Sequence, residues 1–187
     1  MTSETRAKLQ AIPALTGTPP SLDLDALPAS PVELFLSWLD VALEAQVPEP
    51  RSMTLSTADE AGVPDARVLI LKDVDESGWA FATTASSRKG AQLAASPAAA
   101  LSLWWQPISR AVRVRGPVIE ASREESEADL RTRSPQAQAS VAEGDWTLWR
   151  VQPTRVEFWQ ASLDRRHHRI VYVPTEDGWT VEATRAN

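Results

Sequence analysis

A chain of 187 residues with 43% hydrophobic and 24% charged side chains has the make-up of one soluble domain, or of one domain with an N-terminal extension. Its formal net charge of −6 argues against wrapping nucleic acid, while leaving room for a local basic pocket. The lack of cysteine excludes disulfides, thiol catalysis and Cys-ligated metals, and the two adjacent histidines, His167 and His168, would face opposite sides of a strand rather than share one metal.

No apolar run approaches the ~20 residues of a membrane helix. The opening MTSETRAKLQ has no apolar stretch of a secretory signal, so a cytoplasmic protein is expected. Residues 1–30 carry Pro13, Pro19, Pro20 and Pro28 after a short helical stretch. They read as a mobile arm, or as a segment draped over a partner. The domain proper is expected over 31–187. Ser30-Pro31 opens a helix in the order cap then proline, and Leu34, Phe35, Trp38, Leu39, Ala42 and Leu43 repeat at helical spacing to about Gln46. That stripe is core.

From Ser52 the pattern changes to short strands. Residues 53–58 alternate, and Asp59-Glu60-Ala61-Gly62 turns them into a second strand over 67–72, RVLILK. There Arg67 and Lys72 bracket Val68, Leu69, Ile70 and Leu71. In a regular strand the two cations face opposite sides, ~17 Å apart at ~3.3 Å per residue, so they cannot both reach one small group. Asp75-Glu76-Ser77-Gly78 supplies a hairpin loop, with Gly78 free to take a positive φ, and 79–83 is the return strand.

A helix then starts at Ser86 or Ser87 and ends near Ala95. Arg88 and Lys89 have the wrong sign for the start of a helix. Beside hydroxyls and free backbone N–H groups they suit a bound anion such as a phosphate, or else they are a solvated basic pair. Strands over 98–106 and 110–120 follow, the second with Val112, Val114 and Val118 opposite Arg113 and Arg115. Ser122-Arg123-Glu124-Glu125 is a capping box that begins a helix to about Arg133, and 134–144 shows no periodicity. Strands are expected over 146–152, 154–160, 165–173 and 179–183, the last two joined at Glu176-Asp177-Gly178. On the 165–173 strand Arg165, His167 and Arg169 would share one face, near the indole of Trp159. That face is either a platform for an anionic planar ligand or a charge-protected edge. Many short strands with few helices point to a small antiparallel barrel.

Three blocks, RVLILK at 67–72, FATTASSRK at 81–89 and VEFWQASLDRRHHRI at 156–170, with the spacing between them, resemble the pyridoxamine 5'-phosphate oxidase family from about Arg51 to the C-terminus. The resemblance implies a mainly β fold with flanking helices (α+β), the antiparallel FMN-binding split β-barrel, assembled as a homodimer with FMN at the interface. It further implies that Arg67, Val68, Leu69, Ile70, Leu71 and Lys72 line the flavin, that Thr83, Arg88 and Lys89 hold its phosphate end, and that Trp159 and Arg169 contact it. Lys72, Arg133, Arg165 and His167 match the positions that hold a phosphorylated pyridine substrate, with Arg165 and His167 as the catalytic pair. The implied reaction moves hydride from an amine- or alcohol-bearing carbon to flavin N5, and oxygen reoxidises the flavin.

The sequence also departs from the family. Ala111 replaces a flavin-contacting glutamine, and Ala82 an aromatic residue. Asp129 stands for a tyrosine and would repel a phosphate, and Ala137 stands for a serine. The segment from 140 to 156 is short, and Arg185-Ala186-Asn187 lacks a closing proline. FMN binding is therefore expected, with a phosphorylated pyridine or another heteroaromatic small molecule as substrate. The alternatives are a flavin-dependent reductase or a non-catalytic FMN-binding protein on the same barrel.

Overall fold

One long strand, β6 (Arg110–Glu120), belongs to both halves of a divided barrel in the computed structural model, which describes residues 3–186. Met1, Thr2 and Asn187, the last of which ends the proline-free terminus, lie outside the described residues. Along the chain come α1 (Ser3–Gln10), α2 (Pro31–Glu44), β1 (Ser52–Ala58), β2 (Pro64–Ile70), β3 (Asp73–Asp75), β4 (Gly78–Thr84), α3 (Arg88–Ala95) and β5 (Ala98–Trp105). After β6 come α4 (Arg123–Arg131), α5 (Pro135–Ala139), β7 (Trp146–Val151), β8 (Arg155–Gln160), β9 (His167–Thr175) and β10 (Gly178–Ala186). All the pairings are antiparallel, and the larger sheet runs β10-β9-β8-β6-β5-β1-β2. The first part of β6 pairs with β8, and Val118, Ile119 and Glu120 pair with β7, which continues to β4 and β3. This is the antiparallel split barrel that the alternation and the resemblance lead one to expect.

The switch within β6 falls at Gly116-Pro117. The connection from β7 to β8 crosses there, with the Gln152 amide donating to Pro117 O and the Thr154 amide to Arg115 O, each at 2.9 Å. A Cβ on residue 116 would lie 1.9 Å from Gln152 O, so only glycine admits the crossing chain.

The stretch over 67–72 is not one strand. β2 ends at Ile70; the Leu71 amide still donates to Arg51 O, but the Lys72 amide donates to Ala80 O of β4. The chain passes from one half-barrel to the other between those two residues, which a run of four aliphatic side chains does not reveal. Gly78 takes φ +128° in the following turn, as its position predicts.

Ser30 caps α2, accepting from the Val32 amide, and α2 buries Leu34, Phe35, Trp38 and Ala42 in the barrel core. Phe35 meets Trp79 edge-on at 4.5 Å, and Trp38 meets Phe158 at 5.2 Å. The proline-rich arm packs on its own barrel: Gln160 donates to Pro20 O, Tyr172 to Pro28 O and Gln106 to Thr16 Oγ1, while Leu22, Leu24 and Leu27 pack on the core. Residues 16–28 are thus held on the barrel of their own chain. The capping box at Ser122 forms, and Ser134-Pro135 opens α5 inside the stretch without periodicity, by the same cap-then-proline signal as Ser30-Pro31.

Asp145 fixes the turn before α3, accepting from the Ser86 amide at 2.8 Å and from its hydroxyl at 2.6 Å. Those two bonds hold the carboxyl below its ordinary value of 3.8.

Gly116→Ala should cost about 1–3 kcal/mol through the clash with Gln152, visible as a thermal midpoint lowered by several degrees. Because the folded Asp145 carboxyl is the stronger acid, its contribution is present above 3.8 and is lost as pH falls through its folded value. The gap in melting temperature between wild type and Asp145→Ala should therefore shrink on acidification below 3.8. A gap that is the same at neutral and strongly acid pH contradicts a charge-assisted anchor.

Candidate active site

Three cations gather at the start of α3. Ser87 is its N-cap, accepting from the Gly90 amide at 3.2 Å, and the geometry of the first turn leaves the amides of Arg88 and Lys89 without carbonyls inside the helix. Thr83, buried at the end of β4, places its hydroxyl 3.2 Å from that of Ser87, to which Lys89 Nζ donates at 3.3 Å. Arg67 reaches the cluster from the inward side of β2. It donates to Thr57 Oγ1 and to Gln92 Oε1 and pairs with Asp65 at 2.8 Å, and Arg88 lies 3.4 Å from the same carboxylate. Burial first, and the charge of Arg67 second, push the Lys89 ammonium below its ordinary value. Asp65 thus pairs with two of the three cations, and with two hydroxyls and a helix N-terminus beside them they form the donor set of a phosphate cradle. A Cβ at residue 90 would lie 2.2 Å from Ala85 O, so Gly90 lets the helix approach the turn this closely.

A second feature is a cleft of about 730 Å³ between β2, α5 and β7, lined among others by Val68, Ile70, Lys72, Ala82, Arg133 and Trp146. Lys72 Nζ pairs with Asp129 Oδ1 at 3.0 Å, while Asp129 Oδ2 accepts from the indole N–H of Trp146 at 2.9 Å. The guanidinium of Arg133 lies 4.4 Å above that indole. Ala82 and Ala137 keep the cleft open where larger side chains would narrow it.

A third cluster lies on the outward face of the larger sheet. Trp159 on β8 pairs across to Arg169 on β9, its ring 4.9 Å from His167. His167 Nδ1 accepts from the Ser162 amide at 3.1 Å, which places the proton of the neutral ring on Nε2. Ala111 lies between Trp104 and Trp159 in the ladder, and its small side chain lets their indoles approach to 6.1 Å over it. Beneath Arg169 the buried Glu157 binds Arg113, Arg155 and Arg169. Desolvation raises its carboxyl and the three guanidiniums more than offset that, so it is held below its ordinary value. Arg165 is not on the strand. It sits on an exposed turn at φ 62°, and β9 begins only at His167, so the expected face keeps His167 and Arg169 and loses Arg165.

The chain brings Arg67, Thr83, Arg88 and Lys89 together, and separately Lys72 with Arg133, and Trp159 with His167 and Arg169. On β2, Arg67 and Leu69 point inward, whereas Val68 and Ile70 point outward, Val68 being 69% exposed; Leu71 is buried beyond the strand. β6, β5 and β1 lie between β8 and β2, a span of about 19 Å at ~4.8 Å per strand, so one chain does not bring Trp159 to the other two clusters. Sequence reasoning missed Asp65, Trp104 and Trp146 as parts of these clusters. Alternation on β5 marks Trp104 as outward only once the facing of the strand is known. Among the described residues no group of three or more His, Asp or Glu side chains could hold a metal, and no helix is long and apolar enough to cross a membrane.

The family model described as pyridoxamine 5'-phosphate oxidase matches residues 39–160, and that of the pyridoxine 5'-phosphate oxidase C-terminal dimerisation region matches residues 146–184. A pyridoxine/pyridoxamine 5'-phosphate oxidase of Bordetella petrii is 39% identical over 84% of this chain and 90% of its own length. The oxidase of that name from Thermosynechococcus vestitus is 38% identical over 80% and 85%. PhzG from Burkholderia lata, solved with tetrahydrophenazine-1-carboxylic acid, superposes with a TM-score of 0.82 over 90% of this chain and 100% of its own, at 24% identity. A pyridoxamine 5'-phosphate oxidase-related FMN-binding protein from Nostoc punctiforme gives 0.64 over 85% and 100%, at 16% identity. The two structures share the fold, and the two oxidases and the family models go further: this chain belongs to the pyridoxamine 5'-phosphate oxidase family, FMN-dependent oxidoreductases on the split β-barrel, and carries that family's dimerisation region.

Proposed function

We propose that the protein is a homodimeric oxidase that binds FMN between its subunits and oxidises a planar heteroaromatic substrate at an amine- or alcohol-bearing carbon. The observation that carries the reading is the phosphate cradle at α3, where Arg67, Arg88, Lys89, Thr83 and Ser87 converge beside Asp65, which pairs with both arginines. In this reading the cradle takes the phosphate of a flavin mononucleotide, and the cleft, whose wall at Ala82 is next in sequence to Thr83 of the cradle, has room for a planar ring system. When bound, FMN supplies a hydride acceptor at its N5 that molecular oxygen returns to the oxidised state.

The chain's own groups bind, orient and exclude water. Val68 and Ile70 offer an apolar edge, and Lys72, Arg133 and Trp146 form the polar and aromatic end of the cleft where the substrate is held. Trp159, Arg169 and His167 lie too far across the sheet to act on the cleft of their own chain, so in this reading they close the cleft of the second protomer. His167 presents an Nε2–H donor there, and the turn at Arg165 brings a second cation to the rim. These two are the groups proposed to orient the reacting carbon.

Purified protein should be yellow and release FMN on denaturation. Under anaerobic conditions a heteroaromatic amine or alcohol should bleach the flavin and NADPH should not. Bleaching by NADPH alone contradicts the oxidase assignment and favours a reductase. Trp159→Ala should weaken FMN binding by about 1 kcal/mol, roughly fivefold in Kd, by loss of an aromatic contact. Fluorescence titration of the apo-dimer measures this, and an unchanged Kd contradicts a cleft completed by the outward face of a second chain.

A further inference from the structure

The turn between β8 and β9, residues 161–166, carries Arg165, and one side chain sets its shape. Asp164 Oδ1 accepts from the Ser162 hydroxyl at 2.6 Å and from the Arg166 amide at 3.0 Å. Between them Arg165 donates its amide to Ser162 O at 3.0 Å and takes φ 62°, a region that residues with a side chain seldom occupy. Ser162 donates its own amide to His167 Nδ1 at 3.1 Å. The bond that fixes the His167 tautomer and the bonds that fix Arg165 therefore meet at Ser162 and Asp164.

The other oxygen of Asp164 faces a different element. Oδ2 pairs with the Arg185 guanidinium at 2.9 Å, and Arg185 lies on β10, opposite His168 in the ladder. Among the described residues, no other hydrogen bond or ion pair ties 162–166 to anything beyond the turn and the start of β9. Leu163 at the tip is 92% exposed, so within one chain apolar packing does not hold the turn instead. An ion pair this exposed does little for the stability of the fold. What it can do is choose the position of a turn that has no other tether.

Resting on the reading of Arg165 and His167 as the groups that orient the reacting carbon, we infer that Asp164 is a positioning residue for both, anchored by Arg185 on the last strand. Asp164 acts through them: one of its oxygens shapes the turn, and the other ties the turn to the sheet.

The chain has two histidines, so 15N-histidine labelling of the FMN-loaded homodimer gives signals from two rings, which His168→Gln tells apart. Well above the ordinary histidine value of about 6.5, wild-type His167 should show a single tautomer with the proton on Nε2. Asp164→Ala and Arg185→Ala should move its two nitrogen signals toward those of a freely exchanging ring. Arg185→Lys, which keeps a cation opposite Asp164, should move them less. Signals unmoved in either alanine variant overturn the inference. With pyridoxamine 5'-phosphate as the probe, Asp164→Ala should bleach the flavin anaerobically about tenfold or more slowly, the scale of a displaced orienting group. It should cost nothing further once Arg165 and His167 are both alanine. A loss of the same size in that background overturns the inference alone. If the Arg165→Ala/His167→Ala variant bleaches as fast as wild type, or the probe does not bleach the wild type, the reading of this turn as substrate-orienting fails, whatever the spectra show, and the inference with it.

Discussion

Arg67 and Lys89 are partly buried at the start of α3, with the exposed Arg88 beside them, and Asp65 pairs with both arginines. An anion placed there would gain charge-assisted hydrogen bonds at a helix N-terminus. Much of the surrounding structure keeps these groups in place. Asp145 pins the turn, Gly90 lets α3 approach that turn, and Gln92 and Thr57 fix the Arg67 guanidinium from below. Each of these contacts would be an odd choice for a helix that merely lay on a surface.

The division of the barrel places the remaining clusters. Passing from β1 pairing to β4 pairing between Leu71 and Lys72, the chain turns Lys72 away from the Arg67 cluster and toward α4 and β7. Arg67 and Lys72, five residues apart, therefore join two different clusters. The outward face of the larger sheet carries Val68 and Ile70 at one side and Trp159 and Arg169 at the other, with Trp104 exposed between them. An aromatic, apolar and strongly charged surface of that kind suits burial against a second copy, in keeping with the family dimerisation region over 146–184.

Most of the fold was legible because its signals are local. Alternation located the strands, Ser30-Pro31 and Ser122 through Glu125 located two helix starts, and Gly78 marked its turn. What stayed hidden depends on contacts distant in sequence. The end of β2 at Ile70 follows from a change of partner strand, and the arm at 16–28 is held by Gln106, Gln160 and Tyr172, far along the chain. Arg165 looked strand-like because it continues a charged run, yet Asp164, which accepts from the Ser162 hydroxyl and the Arg166 amide, tightens a turn there. Within the site, cap logic marked Arg88 and Lys89. It could not say which of Trp104 and Trp105 faces outward, since adjacent residues alternate: the first is 49% exposed and the second 2%.

The central claim is that the cations at the start of α3 hold the phosphate of the flavin, and comparing FMN with riboflavin, which lacks that group, tests it most directly. With the apo-dimer, wild type should bind FMN far more tightly than riboflavin. The double substitution of Arg88 and Lys89 by alanine should remove most of that preference while changing riboflavin affinity little. A double variant that keeps the full preference for FMN would contradict the account.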